Sequence, residues 1–218
     1  MLLKEFDLDA PCLNKSERHK FRLETRCISS LYERFFNKKL KTDKCWKVLV
    51  EGVTSVTKPC VRDQLGVFTI EVLFDFELYS KASDDEKKVQ ILELLQKGII
   101  QIGELQGWDI CPFNEAYQKV IDVSYINDWV WGKPIMNSSK NLKAEVYCQH
   151  GLYKFTSAIR VYNKSGGLIL DKEVVNEQPD EFAFTKYFGR LKWTSQNQIM
   201  LEAKDGATVS LLTVSMDN

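Results

Sequence analysis

The sequence predicts an α+β fold: an N-terminal helix, a long β-hairpin and two helices, followed by a C-terminal antiparallel β-sheet arranged as a meander. Three observations lead there. Apolar residues recur at three- and four-residue steps through residues 15–40 and again after residue 83, as amphipathic helices require. Between them, residues 44–79 alternate with period two, the signature of strands. From residue 140 onward no helical period survives, and short apolar runs are separated by glycine-containing turns. Hydrophobic residues form 44% of the 218 and aromatics 11%, enough to close a core and to argue against disorder.

Taken in order, residues 15–40 place Phe21, Leu23, Cys27, Ile28, Leu31, Tyr32, Phe35 and Phe36 along one helical stripe. Lys44 to Thr57 then sets Trp46, Val48 and Val50 against Lys47, Leu49 and Glu51, which predicts a strand. Past a turn marked by Pro59 and Gly66, Val67 to Tyr79 alternates more cleanly. Phe68, Ile70, Val72, Phe74 and Phe76 share one face; Thr69, Glu71, Leu73, Asp75 and Glu77 share the other. The two runs are expected to pair as a hairpin. Ser83-Asp84-Asp85-Glu86 is a capping box, in which the serine bonds the backbone three residues on and the glutamate reaches back. Its helix carries Val89, Ile91, Leu92, Leu95, Ile99, Ile102 and Leu105 as a buried stripe and ends at Gly107, a left-handed cap. Gly98 and Gly103 inside it each cost about 1 kcal/mol relative to alanine, which points to close packing or a bend. Pro112 at a first helical position opens the second helix.

Trp129-Val130-Trp131-Gly132-Lys133-Pro134 and the polar run from Met136 to Asn141 change the composition, and the domain boundary is placed there. Residues 1–132 then form the α+β part and 140–218 the all-antiparallel part, with one continuous unit as the alternative. Strands are expected over 142–150, 152–163, 168–176, 189–194, 198–204 and 208–214. Ser165-Gly166-Gly167 and Asp205-Gly206 serve as hairpin turns.

Charge and motif content narrow the function. Basic and acidic side chains are matched at 30 each, so no overall field draws the chain to nucleic acid or an anionic membrane. The first residues, Met1 to Asp7, turn charged too early for a signal-peptide core, and no apolar run approaches the roughly 20 residues of a membrane-spanning helix. A cytoplasmic protein with its six cysteines reduced is expected. The nucleophile elbow, the phosphate-binding loop, the dinucleotide fingerprint and the His-Glu-x-x-His zinc motif are all missing from the sequence, so no cofactor is expected. Two enzymatic alternatives stay open: metal-assisted hydrolysis by Glu71, Asp75 and Glu77, which parity puts on one strand face, and thiol chemistry by Cys148 with His150.

The neutral total hides a polar distribution. Residues 1–50 carry 12 basic and 7 acidic side chains, whereas residues 71–128 carry 12 acidic and 5 basic. An acidic module of this kind suits a basic partner surface. The expected function is therefore a non-enzymatic protein-binding module, in its most concrete form an immunity or inhibitor-type protein that occludes its partner. Glu71, Asp75, Glu77, Asp84 and Asp85 would supply the charge, and Trp129 and Trp131 the apolar anchor. A third possibility is an assembly protein whose C-terminal sheet adds strands to a neighbour.

Overall fold

The strands built from residues 47–53 and 67–73 run parallel, not as the two arms of a hairpin. The computed structural model describes residues 1–37 and 40–215 and divides into two units, Met1–Asn127 and Asp128–Asn218. The fold class is α+β, as the sequence predicts.

In the first unit the elements are β1 (Glu5–Asp9), α1 (Lys15–Phe36), β2 (Lys47–Val53), β3 (Arg62–Gln64), β4 (Val67–Leu73), α2 (Phe76–Lys81), α3 (Asp84–Gln106) and α4 (Cys111–Asp122). The sheet order is β1-β2-β4-β3, with β1, β2 and β4 parallel and only β3 antiparallel. Burial explains why the hairpin expectation fails. β4 hides Thr69 and Glu71 as well as Phe68, Ile70 and Val72, and a strand covered on both faces is characteristic of parallel sheets. The hairpin that does form is β3–β4, turned at Leu65 and Gly66, both with positive φ.

Helix ends follow local chemistry closely. The Asn14 side chain accepts from the Ser16 and Glu17 amides at the start of α1, and Asn37 ends it in the left-handed region, short of the expected residue 40. Lys38 and Lys39, the continuation of that expected helix, lie outside the described residues. The capping box of α3 is present in both directions, and Gly107 closes it with φ 66°. Gly98 has a packing reason: a Cβ there would lie 2.3 Å from Val50 Cγ2, so its absence lets α3 settle onto β2. Of the stripe read into α3, Val89 and Leu105 are exposed, while Leu94 is buried.

β4 stops at Leu73 rather than continuing to Tyr79. Asp75 accepts from the Leu78 amide and caps α2, and Phe74, Phe76 and Tyr79 gather around Phe21 at 5.8, 5.5 and 5.6 Å. The alternation of aromatics past residue 73 reflects this ring cluster, not a pleat. At the other end of the sheet, Phe6 meets Tyr32, Phe36 and Phe113 edge-on, joining β1 to α1 and α4.

The second unit contains β5 (Asp128–Met136), β6 (Leu142–His150), β7 (Phe155–Asn163), β8 (Leu168–Glu177), α5 (Glu181–Phe184), a short 3-10 turn over Thr185–Tyr187, β9 (Arg190–Trp193), β10 (Gln198–Glu202) and β11 (Thr208–Thr213). All its pairings are antiparallel and sequential, giving β5-β6-β7-β8 and β9-β10-β11. The meander is thus split into two sheets around one core, which includes Val146, Cys148, Phe155, Ile159, Ile199 and Leu201. Trp129 and Trp131, read as part of a boundary segment, belong to β5 opposite Cys148 and Val146. Gly132, with φ 67°, and the register shift before Ile135 mask that strand in the sequence.

Candidate functional site

The acidic residues singled out from the sequence lie at the C-terminal end of β4 and along α2 and the start of α3, but they do not converge. Glu71 is buried and turned to structural use: its Oε2 accepts from the Thr57 amide at 2.7 Å and the Lys58 amide at 2.9 Å, and the Thr57 hydroxyl adds a further bond. The Lys58 N–H, with those of Thr57 and against the opposing effect of burial, holds the Glu71 carboxyl below the usual glutamate range. This carboxylate therefore pins the connection between β2 and β3. Asp75 is a helix cap. Glu77 pairs with Lys81 at 2.6 Å, one turn on, with both side chains largely exposed. Asp84 and Asp85 occupy the first turn of α3, and Asp85, at 94% exposure, reaches Lys88 at 3.2 Å. The expected single face of Glu71, Asp75 and Glu77 fails because parity has no meaning once the chain turns helical at Phe76.

The two tryptophans belong to the second unit. Trp129 packs against Phe155 at 5.9 Å and Trp131 against Phe188 at 5.4 Å, both partly buried against the core. They act there as core aromatics.

Parallel pairing aligns a constellation that sequence reasoning missed. Asp9, Glu51 and Glu71 stand in register on β1, β2 and β4, at the carboxyl ends of the strands, where open α/β sheets place ligands. A depression of about 320 Å³ there is lined by Cys12, Glu51, Lys58, Arg62 and Glu71, among others. Each carboxylate is already engaged. Asp9 takes a two-point bond from Arg18, at 2.7 and 2.6 Å; Glu51 pairs with Arg62; Glu71 holds the two amides. The charges thus fasten β1 to α1, β2 to β3, and β4 to the connection after β2. Lys47 and Glu51 were visible as one side of a strand, but the alignment depends on β1, too short to announce itself.

Among the described residues, no group of three or more His, Cys, Asp and Glu side chains is placed to hold a metal ion. Burial pushes the Cys148 thiol up to about 12, so it stays protonated at neutral pH, and His150 bonds the Pro179 carbonyl through Nε2 at 3.1 Å. All six cysteines are free, with Cys12, Cys60 and Cys111 exposed. No described helix is long and apolar enough to cross a membrane.

What remains accessible in the first unit is a second concavity. A groove of about 550 Å³ runs along Ile70–Leu73, with Val56 and Pro59 contributed by the connection after β2, and Lys97, Glu104 and Leu105 by α3. Leu73 and Leu105 are exposed at 57% and 62%, and Val56 and, on α2, Leu78 are also exposed.

No protein-family model, no curated protein and no solved structure matches this chain.

Proposed function

We propose that the chain is a non-enzymatic protein-binding module, in its most concrete form an immunity or inhibitor protein that covers a basic surface of a partner protein. The observation that carries this reading is the composition of one stretch of the first unit: exposed Leu73 and Leu78 interleave with Glu77, Asp84 and Asp85 on α2 and the start of α3. Apolar side chains supply affinity once they are desolvated, and the acidic side chains among them select and steer the partner. The intramolecular pairs Glu77–Lys81 and Asp85–Lys88 do not compete strongly, because exposed pairs of this kind contribute only about 0–1 kcal/mol. A cation from a partner replaces them at little cost. Trp129 and Trp131, first expected as anchors, are assigned to core packing in this reading, and the leucines take their place.

The enzymatic alternatives draw less support. Glu71, Asp75 and Glu77 point to three different structural tasks, and the Cys148 thiol is buried and protonated.

The test is affinity capture from the native cell by the wild type and by a triple variant, Glu77→Lys, Asp84→Lys and Asp85→Lys, with circular dichroism confirming the fold of both. The expected result is a stoichiometric complex that weakens as salt rises past roughly 0.15 M, with association of the triple variant slowed at least about tenfold. Equal association rates for the two proteins, or no recoverable complex, would overturn the proposal.

A further inference from the structure

We infer that the outer edge of β4, from Ile70 to Leu73, accepts an extended segment of a partner protein as an added strand. The inference rests on the protein-binding reading above and specifies its mode.

The edge is unfinished. β3 is three residues long and pairs only with Val67, Phe68 and Thr69, so the outer side of β4 has no strand beyond Thr69. Direction follows from the ladder. The Phe74 amide bonds back to Val53 at 2.9 Å, so backbone groups of even-numbered residues face β2 and those of Glu71 and Leu73 face outward. Among the described residues, neither Glu71 nor Leu73 has a main-chain bond on that side. The opposite edge of the same sheet is treated differently. At Phe6 of β1 the outward N–H donates to Glu33 Oε1 at 2.9 Å and the carbonyl accepts from Arg26 at 3.2 Å, so side chains of α1 satisfy both main-chain groups of that residue and blunt the edge there. Sheets leave a bare edge only at risk of unwanted pairing. One edge blunted by side chains beside another left open identifies the open one as the place for pairing.

The surroundings select the occupant. Unbonded main-chain groups on alternate residues match an extended backbone, not a helix, and about four residues, some 13 Å of strand, fit alongside. Val56, Leu73 and Leu105 offer apolar contact for an alternate side chain of that strand, and Glu104 on the α3 wall offers a carboxylate to a basic flank. A second copy of this chain is a poor occupant. Its own β4 edge lies equally recessed between the connection after β2 and α3, and two recessed edges cannot approach to hydrogen-bonding distance. A free extended segment can.

The experiment uses the full chain and a set of eight-residue peptides of alternating valine and threonine with lysines at either end. In the free protein, the Leu73 amide is expected to exchange with solvent at least tenfold faster than the Val72 amide. Addition of peptide should shift the amide resonances of residues 70–73 and slow exchange at Leu73. Leu73→Pro removes the outward donor while sparing the bonds to β2, since proline is tolerated where a strand N–H faces away from its sheet. It should weaken peptide binding at least tenfold with an unchanged melting temperature. Should that variant fail to fold, peptides N-methylated on alternate residues test the same bonds in the wild type and should lose binding to the same extent. Protection of Leu73 in the free protein, no binding by any peptide, or binding indifferent to N-methylation would overturn the inference. A concentration-dependent dimer abolished by Leu73→Pro would assign the edge to a second copy and overturn it equally. Capture of a cellular partner undiminished by Leu73→Pro would sink the strand-addition mode while leaving the protein-binding reading intact; loss of capture in the charge-reversed variant speaks to that reading alone.

Discussion

The two units solve the same packing problem with opposite topologies. The second is built from neighbours in sequence: every strand pairs with the one before or after it, and the buried face is apolar and aromatic, with Phe155 stacked on Phe184 at 3.7 Å. Its charges sit mostly on the alternate sheet face, where Arg160 lies 3.5 Å over the Tyr147 ring and pairs with Asp171. The first unit joins strands that are distant in sequence and spends charge inside. Glu24 is buried with the Tyr79 hydroxyl at 2.7 Å and Lys87 at 3.5 Å, and burial would lift Asp7 were it not for Arg26 and Lys47, which hold it below the usual range. The difference teaches that the second unit is specified by local turns and apolar pattern, while the first depends on polar fastenings that fix strands with no local reason to be adjacent.

The largest expected effect tests whether the second core stands on its aromatics. Phe155→Ala should cost about 3–5 kcal/mol, since it removes a fully buried ring in contact with Trp129, Phe184 and Phe188. Chemical unfolding followed by tryptophan fluorescence reads it; a loss under about 1 kcal/mol would mean that the core can collapse around the gap. Next, Gly98→Ala probes the fastening of α3 to β2. Alanine gains about 1 kcal/mol in helix propensity, but its Cβ would meet Val50 Cγ1 and Cγ2 at 2.5 and 2.3 Å, and overpacking of this kind costs about 1–3 kcal/mol or more. Net destabilisation is expected, and a stabilised variant would break the claim of close approach.

Ser83→Ala should cost about 1 kcal/mol, because it removes the side-chain half of the α3 capping box. It sharpens the comparison by measuring a local feature inside the non-local unit. The smallest effect concerns acid. The pKa of Glu71 is lower in the folded chain than in the unfolded one, so its bonds to Thr57 and Lys58 add stability at pH values above the ordinary glutamate range. That contribution fades as pH falls through the lower folded value. Glu71→Gln should therefore be less stable than the wild type at neutral pH and converge with it on acidification, as melting curves between roughly pH 3 and 7 would show. A constant difference across that range would place the role of Glu71 in packing rather than charge.

The candidate site was legible only in part. Acidity at Glu77, Asp84 and Asp85 could be read from the chain, since helix-start acids and a capping box are local signals. The tasks of Glu71 and Asp75 could not, because nothing in the alternation from Val67 onward says where the strand ends and a cap begins. Trp129 and Trp131 were misplaced for a related reason: a bulged strand interrupted by Gly132 looks like a linker.

By itself the sequence determined the α+β class, the caps of α3 at Ser83 and Gly107, and the antiparallel character of the last strands, though not their pairing order in two sheets. These depend on residues close together along the chain, where hydrogen-bonding and turn preferences act directly. Only the tertiary structure decided that β2 and β4 run parallel, that Asp9, Glu51 and Glu71 line up, and that β4 keeps a free edge beside the groove. The reason is physical: parallel register is set by burial on both sheet faces and by long crossovers, and neither leaves a mark in the spacing of neighbouring residues.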